Sequence, residues 1–260
     1  MVMKYHIKLS REMIQGAKIA VLPGDPGRVE KTAKTLSADA VFLASNREYT
    51  SWLTKSGPHS ILICSTGIGG PSLSIAVEEL AGLGIEYFIR IGTTGAIQPN
   101  IEIPSLIITT GAVRLDGASK HYAPIEYPAV ADLDITNSLI AGAKASGVAY
   151  YTGITASSDT FYPGQERYDT FSKYVIKDFQ GSLEQWQKLN VLNFEMESAT
   201  LFTIASAFGL KAGCIASVIV NRTRNETPDD SILKQAEENL ALALGHSLEY
   251  MLHKRGGIKA

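Results

Sequence analysis

Apolar, β-rich runs that alternate with stretches of helical periodicity predict a layered α/β fold. Two further observations agree. Several of the runs end in a glycine turn that opens a helix, the punctuation of strand–turn–helix units. No linker-like shift in composition, internal repeat or low-complexity tract divides the chain, so one domain over residues 1–260 is expected.

The elements follow in order. Lys18–Leu22 is an apolar strand, and the turn Pro23-Gly24-Asp25-Pro26-Gly27 leads into a helix carrying Val29, Ala33 and Leu36 at helical spacing. Ser60–Ser65 repeats the theme: Thr66-Gly67-Ile68-Gly69-Gly70-Pro71 breaks the strand, and Ile75, Ala76, Leu80 and Leu83 recur on one helix face. Tyr87–Ile91 is the next buried strand, followed by the segment Gly92-Thr93-Thr94-Gly95, read as a turn. Later strands are expected at Leu106–Val113, Tyr150–Ala156, Val191–Phe194 and Ala212–Val220, and helices at Asp132–Ser146, Ser198–Phe208 and Ser231–Met251.

With 45% hydrophobic and 19% charged residues over 260 positions, the chain can bury a substantial core and is neither disordered nor fibrous. A net charge of −2 with dispersed lysines and arginines leaves no electrostatic footprint for nucleic acid, so any bound anion should be small. Cys64 and Cys214 sit singly inside apolar runs, which reads as buried, reduced thiols. The start of the chain lacks a long apolar core before a small-residue cleavage site, and no stretch reaches membrane-spanning length. A cytoplasmic protein without nucleic-acid or membrane partners is expected.

Three strand ends carry an arginine: Arg28 after the first turn, Arg90, and Arg222 after Val218-Ile219-Val220-Asn221. A glycine turn alone is ordinary α/β punctuation. Combined with a guanidinium, whose planar fork of donors matches two oxygens of an oxyanion, and with the hydroxyls of Thr93 and Thr94, it points to phosphate. Neither turn fits the nucleotide-triphosphate loop, and Gly67-Ile68-Gly69-Gly70 lacks the dinucleotide spacing. The loop Ser157–Asp169 is polar and aromatic: Gln165 offers a donor and an acceptor, Arg167 a fork of N–H groups, and Phe161 a flat face, complements of a pyrimidine's carbonyls and ring N–H. An ordinary solvated loop is the alternative. In Asn193-Phe194-Glu195-Met196-Glu197-Ser198, two carboxylates stand where a strand gives way to a helix, able to accept paired hydroxyls of a sugar or to complement the helix N-terminus.

Together these stretches resemble the nucleoside phosphorylase family over nearly the whole chain. The carriers are Pro23–Lys31, Cys64–Ser72, Arg90–Pro99, the Ser157–Asp169 loop and Phe194–Thr200. The resemblance implies a central mixed β-sheet flanked by helices. It also implies a pentosyl transfer: reversible phosphorolysis of uridine by inorganic phosphate, giving uracil and ribose 1-phosphate, with no organic cofactor. By position, Gly24, Arg28, Arg90 and Thr93 would bind phosphate, joined by Arg47 of a neighbouring subunit. Phe161, Gln165, Arg167 and Arg222 would face uracil, and His6 of the neighbour with Thr93, Met196 and Glu197 would hold ribose. Arg90, Thr93, Gln165 and Arg167 would carry the catalysis. Glu48, Ile68 and Ser72 match positions that bind a monovalent cation, potassium, at a dimer interface, and the family assembles as a hexamer, a trimer of dimers. Seen only as a sequence feature, a histidine such as His6 beside Tyr5 and Ile7 is more often a packing or surface residue than a ligand. The chain departs from the family pattern at residues 145–151 and 224–230.

Two competing readings share the fold: a purine nucleoside phosphorylase or nucleosidase, and a non-catalytic nucleoside-binding protein. The first wants a protonated acid at the late strand's end to serve a purine ring nitrogen, where this sequence has Asn221-Arg222.

Overall fold

A strand covered on both faces must be apolar at every position. In the computed structural model, which describes residues 2–224 and 226–254, β1 (Ile19–Pro23) is such a strand, buried at all five positions. Its alternating side chains divide the core: Ala20 and Leu22 face one hydrophobic cluster, Ile19 and Val21 the other. After the Pro26–Arg28 helical turn and α1 (Val29–Leu36) come β2 (Val41–Asn46), β3 (Tyr49–Ser56) and β4 (His59–Cys64), then α2 (Gly70–Ala81) and β5 (Tyr87–Ala96). The second half holds β6 (Leu106–Leu115), β7 (Ala129–Val130), α3 (Leu133–Ser146), β8 (Tyr150–Ser158), α4 (Ser182–Lys188), β9 (Asn193–Glu195), α5 (Ser198–Ala207), β10 (Lys211–Asn221) and α6 (Asp230–Lys254).

The sheet is mixed, as the resemblance implies. β5 pairs in parallel with β1 and β10, β1 with β4, and the β4–β3–β2 edge is antiparallel. Beyond β10, β6 is antiparallel, β8 parallel to β6, and β9 parallel to β8. β9 returns to pair with the far end of β5, closing a ring of five strands. Helices α2 and α5 cover the cluster containing Leu22 and Phe88, and α1, α3 and α6 cover the opposite one containing Val21 and Ile89.

Two corrections concern chain segments that bear on the site. The segment Gly92–Gly95 is not a turn: β5 runs through to Ala96 because β10 pairs alongside it, with Ser217 opposite Thr93, Val218 opposite Thr94 and, past a bulge, Val220 opposite Gly95. The β2–β3 hairpin and α4 are additional elements, and the expected strand at Val191–Phe194 is shortened to Asn193–Glu195. Cys64 and Cys214 are free and fully buried, and burial pushes each thiol up to about 11. Among the described residues no helix is long and apolar enough to cross a membrane.

Candidate active site

Alternation along β5 sets the geometry. Arg90 has the parity of Phe88, so its side chain enters the α2/α5 side of the sheet, where the N-terminus of α5 supplies partners. There it is 6% exposed, which would be costly for an unpaired charge. Its Nε donates to Glu195 Oε2 at 2.9 Å, and Nη2 forms an ion pair with Glu197. Burial opposes the charge, but the Glu197 and Glu195 carboxylates outweigh it and hold the guanidinium protonated. Nη1 is buried without a partner among the described residues.

The two carboxylates divide the roles that sequence left open. Glu195 Oε2 accepts from the amides of Glu197 at 2.9 Å and Ser198 at 3.0 Å, and Glu195 also accepts from the Ser157 hydroxyl. It therefore closes the first turn of α5 while pinning Arg90. Glu197 Oε1 accepts from Gly69 N–H at 2.6 Å, tying the loop after β4 to the same knot. Burial pushes the Glu197 carboxyl above the usual carboxylate range, opposed by Arg90 and reinforced by Glu195.

These groups floor a cleft of about 690 Å³, a volume suited to a small molecule. Gly24, Arg28, Arg90 and Thr93 line one part of it; Phe161, Gln165 and Arg167 line another; Met196 and Glu197 lie there too. The loop carrying Gln165 is held locally. Gly164 must lack a side chain, since a Cβ would stand 2.2 Å from Ser158 Oγ. Glu166 adopts a left-handed φ of 52°, and its carboxylate accepts from the amides of Gly181 and Leu183 at the start of α4. Strain placed between two recognition side chains is the pattern of a functional loop. Gln165 is 3% exposed, yet its side-chain amide makes no hydrogen bond to a described residue, and Arg167 Nε is buried with no partner among the described residues. The Arg167 guanidinium sits 4.3 Å over the Phe161 ring and pairs with Glu226; burial, then the nearby Arg222, lowers its pKa.

Several expected residues stand elsewhere. Arg222 does not line the cleft: β10 delivers it behind the recognition loop, where Nη1 donates to the Gln165 carbonyl at 2.6 Å and Nε pairs with Glu226 at 2.9 Å. It braces the loop that carries Gln165 and Arg167. Thr93 and Thr94 both line the cleft, but the Thr94 hydroxyl is committed to the Phe194 carbonyl at 2.6 Å. Arg47 is exposed at the β2–β3 turn with φ 55°, and His6 pairs with Glu79 at 2.7 Å; neither lines its own chain's cleft. Glu48, Ile68 and Ser72 do come together: a Cβ on Gly67 would meet Glu48 Cγ at 2.9 Å and Ser72 Oγ at 3.2 Å, and Ser72 Oγ donates to the Ile68 carbonyl at 3.2 Å. Sequence reasoning missed Ser157, Gly69 and Glu226. Glu226 lies in the divergent stretch 224–230, of which Asn225 is outside the described residues, and no local pattern marked it as a partner of two arginines.

Comparison with known proteins agrees with this architecture. The sequence profile of the Phosphorylase superfamily matches residues 18–250. The chain is 58% identical over 234 residues to uridine phosphorylase of Haemophilus influenzae, covering 90% of this chain and 92% of the relative. It is 55% identical over 235 residues to uridine phosphorylase of Escherichia coli, with the same 90% and 92% coverage. It is 37% identical over 231 residues to guanosine phosphorylase of Halorubrum lacusprofundi, covering 87% and 90%. A profile match over residues 18–250, on a mixed sheet whose first and fifth strands lead Arg28 and Arg90 to one cleft, makes the chain a member of the phosphorylase superfamily.

Proposed function

We propose that this chain catalyses the reversible phosphorolysis of uridine to uracil and ribose 1-phosphate. The observation that carries it is the pair of buried arginine donors, Arg90 Nη1 and Arg167 Nε, that have no partner among the described residues and belong to side chains that line one cleft. The two relatives named uridine phosphorylase support the choice of nucleoside.

Breaking an N-glycosidic bond leaves positive charge on the sugar and negative charge on the departing base, and a catalyst gains rate by stabilising both. Phosphate held by Gly24, Arg28, Arg90 and Thr93 presents an anionic oxygen to C1′. As the C1′–N1 bond breaks, its electron pair passes to the pyrimidine, and the phosphate oxygen bonds to C1′. Gln165 and Arg167 donate to the uracil carbonyls and disperse that charge, while Phe161 covers the ring. Glu197 and Met196 hold the ribose. A hydrogen-bond donor suits an anionic pyrimidine, so no protonated acid is called for at this end.

Arg47 and His6, exposed or turned away from their own cleft, fit the reading that they complete the site of a partner subunit in a hexamer built from dimers. Glu48, the Ile68 carbonyl and Ser72 offer the hard oxygen donors that a potassium ion takes.

Uridine incubated with and without phosphate tests the proposal through the loss of ultraviolet absorbance that follows release of uracil. Phosphate-dependent loss is expected. Phosphate-independent turnover, faster release of hypoxanthine from inosine, or binding without turnover would each overturn it.

A further inference from the structure

Arg90 and Arg28, the two cleft arginines assigned to phosphate, share one feature: a carboxylate on the Nε atom. Arg90 is gripped at Nε by Glu195 and at Nη2 by Glu197, which leaves Nη1 buried and without a partner among the described residues. Arg28 Nε is 3.2 Å from Glu237 Oε1, and neither Nη atom of Arg28 bonds a described residue. A carboxylate on the Nε edge fixes the plane of a guanidinium and turns its outer fork toward whatever lies beyond. For Arg90 that carboxylate comes from the cleft floor. For Arg28 it comes from outside the cleft, on the second turn of α6.

Glu237 does not line the cleft, and the recess it shares with Arg28, Thr32 and Ile91 holds only about 30 Å³, room for no ligand. It can act only through another side chain. Lys31 binds its second oxygen at 2.7 Å, so the carboxylate is tethered on both sides, and Glu237 and Arg28 are each mostly buried, with side-chain exposures of 29% and 25%. We propose that Glu237 is a positioning residue for phosphate: it orients Arg28 so that the guanidinium fork meets the anion. This deepens the phosphorolysis reading and rests on it.

Two effects of Glu237 oppose each other, and their signs separate the proposal from simple electrostatics. A carboxylate near an anion site repels the anion, so its removal would tighten phosphate binding. If orientation dominates, removal weakens it. Arg28 and Lys31 together outweigh the single negative charge of Glu237, which keeps the repulsion small.

The test is the KM for phosphate and for uridine, measured separately in the intact enzyme. Glu237→Ala is expected to raise phosphate KM about three- to fivefold, the range of a part-exposed ion pair, with uridine KM held within about 1.5-fold. Glu237→Gln, which keeps an acceptor for Arg28 Nε, should recover at least half of the loss. In an Arg28→Ala background, Glu237→Ala should change phosphate KM no further. Glu30→Ala, which removes an exposed carboxylate of α1 that pairs with Lys34, serves as the charge control and should move neither KM. An unchanged or lowered phosphate KM in Glu237→Ala, or an equal rise in both KM values, would overturn the proposal. Wild-type enzyme that cleaves uridine without phosphate would instead overturn the underlying reading.

Discussion

Arg90 is a structural residue, buried between Glu195 and Glu197, and the proposed phosphorolysis gives it a second task, holding phosphate. Removing it outright would strand Glu195 and Glu197 as buried like charges, a loss of about 3–5 kcal/mol for a broken buried pair. Arg90→Lys is the sharper probe, because it keeps the charge and discards the fork. It should lower kcat/KM for phosphate about a hundredfold, while thermal unfolding shifts far less than in Arg90→Ala; a lysine enzyme with near-normal phosphate kinetics would take Arg90 out of the anion site. Gln165→Ala acts at the other end of the bond. Loss of one donor to the leaving group should add about 2.7–4 kcal/mol to the barrier, seen as a fall in kcat with phosphate KM little altered. The residue types that sequence singled out were those whose chemistry is legible alone: an arginine after an apolar strand, a Gln-x-Arg pair in an aromatic loop. What sequence could not supply was pairing at long range. Glu195 reaches Arg90 across 105 positions, and Arg222 reaches the Gln165 carbonyl across 57, so the support that Arg222 gives the loop was not legible.

At the level of elements, periodicity located the buried strands β1, β4, β6, β8 and β10 and all the long helices. It failed where an element's identity comes from its neighbour. β2 and β3 mix exposed and buried positions and owe their pairing to β4, and β5 continues through two glycines because β10 lies beside it. Helix packing gives a stability prediction. Gly142 of α3 lies so close to α6 that a Cβ would stand 2.0 Å from Ser247 Oγ, so Gly142→Ala should cost about 1–3 kcal/mol by overpacking, read as a drop in Tm; an unchanged Tm would mean that the two helices can part freely. One carboxylate joins the Asn46 amide, 2.7 Å from the His6 carbonyl, and the buried Ile7 and Leu9 in holding the N-terminal segment. Glu79 accepts from the amides of His6 and Ile7 at 3.0 and 2.9 Å, and although burial opposes it, these bonds hold its pKa below the ordinary value. A lowered folded-state pKa contributes stability that is complete above the unfolded value and lost as pH falls through the folded one. Acid should therefore free this segment, and Glu79→Gln should do so at neutral pH, exposing Lys4 and Lys8 to trypsin. Equal resistance of variant and wild type would refute it.

For the whole molecule, the test is whether a cleft is complete within one chain. If Arg47 serves a partner's cleft, Arg47→Ala and Arg90→Lys chains are each impaired at every site, yet assemblies of both contain clefts with neither lesion. Co-expression should recover a fraction of wild-type activity that separate preparations mixed at low concentration lack; no recovery would return Arg47 to the solvent. The path of β5 carries a consequence of its own. Along one edge β1 accompanies it only as far as Ile91, and β9 takes over only at Gly95. Between them the fabric has a dropped stitch three residues wide, and Thr93 stands in it. A ligand seated there fills the place of an absent neighbour and knits two halves of the sheet, so saturating phosphate should slow amide exchange at Gly92, Thr93 and Thr94 more than anywhere else in the strand.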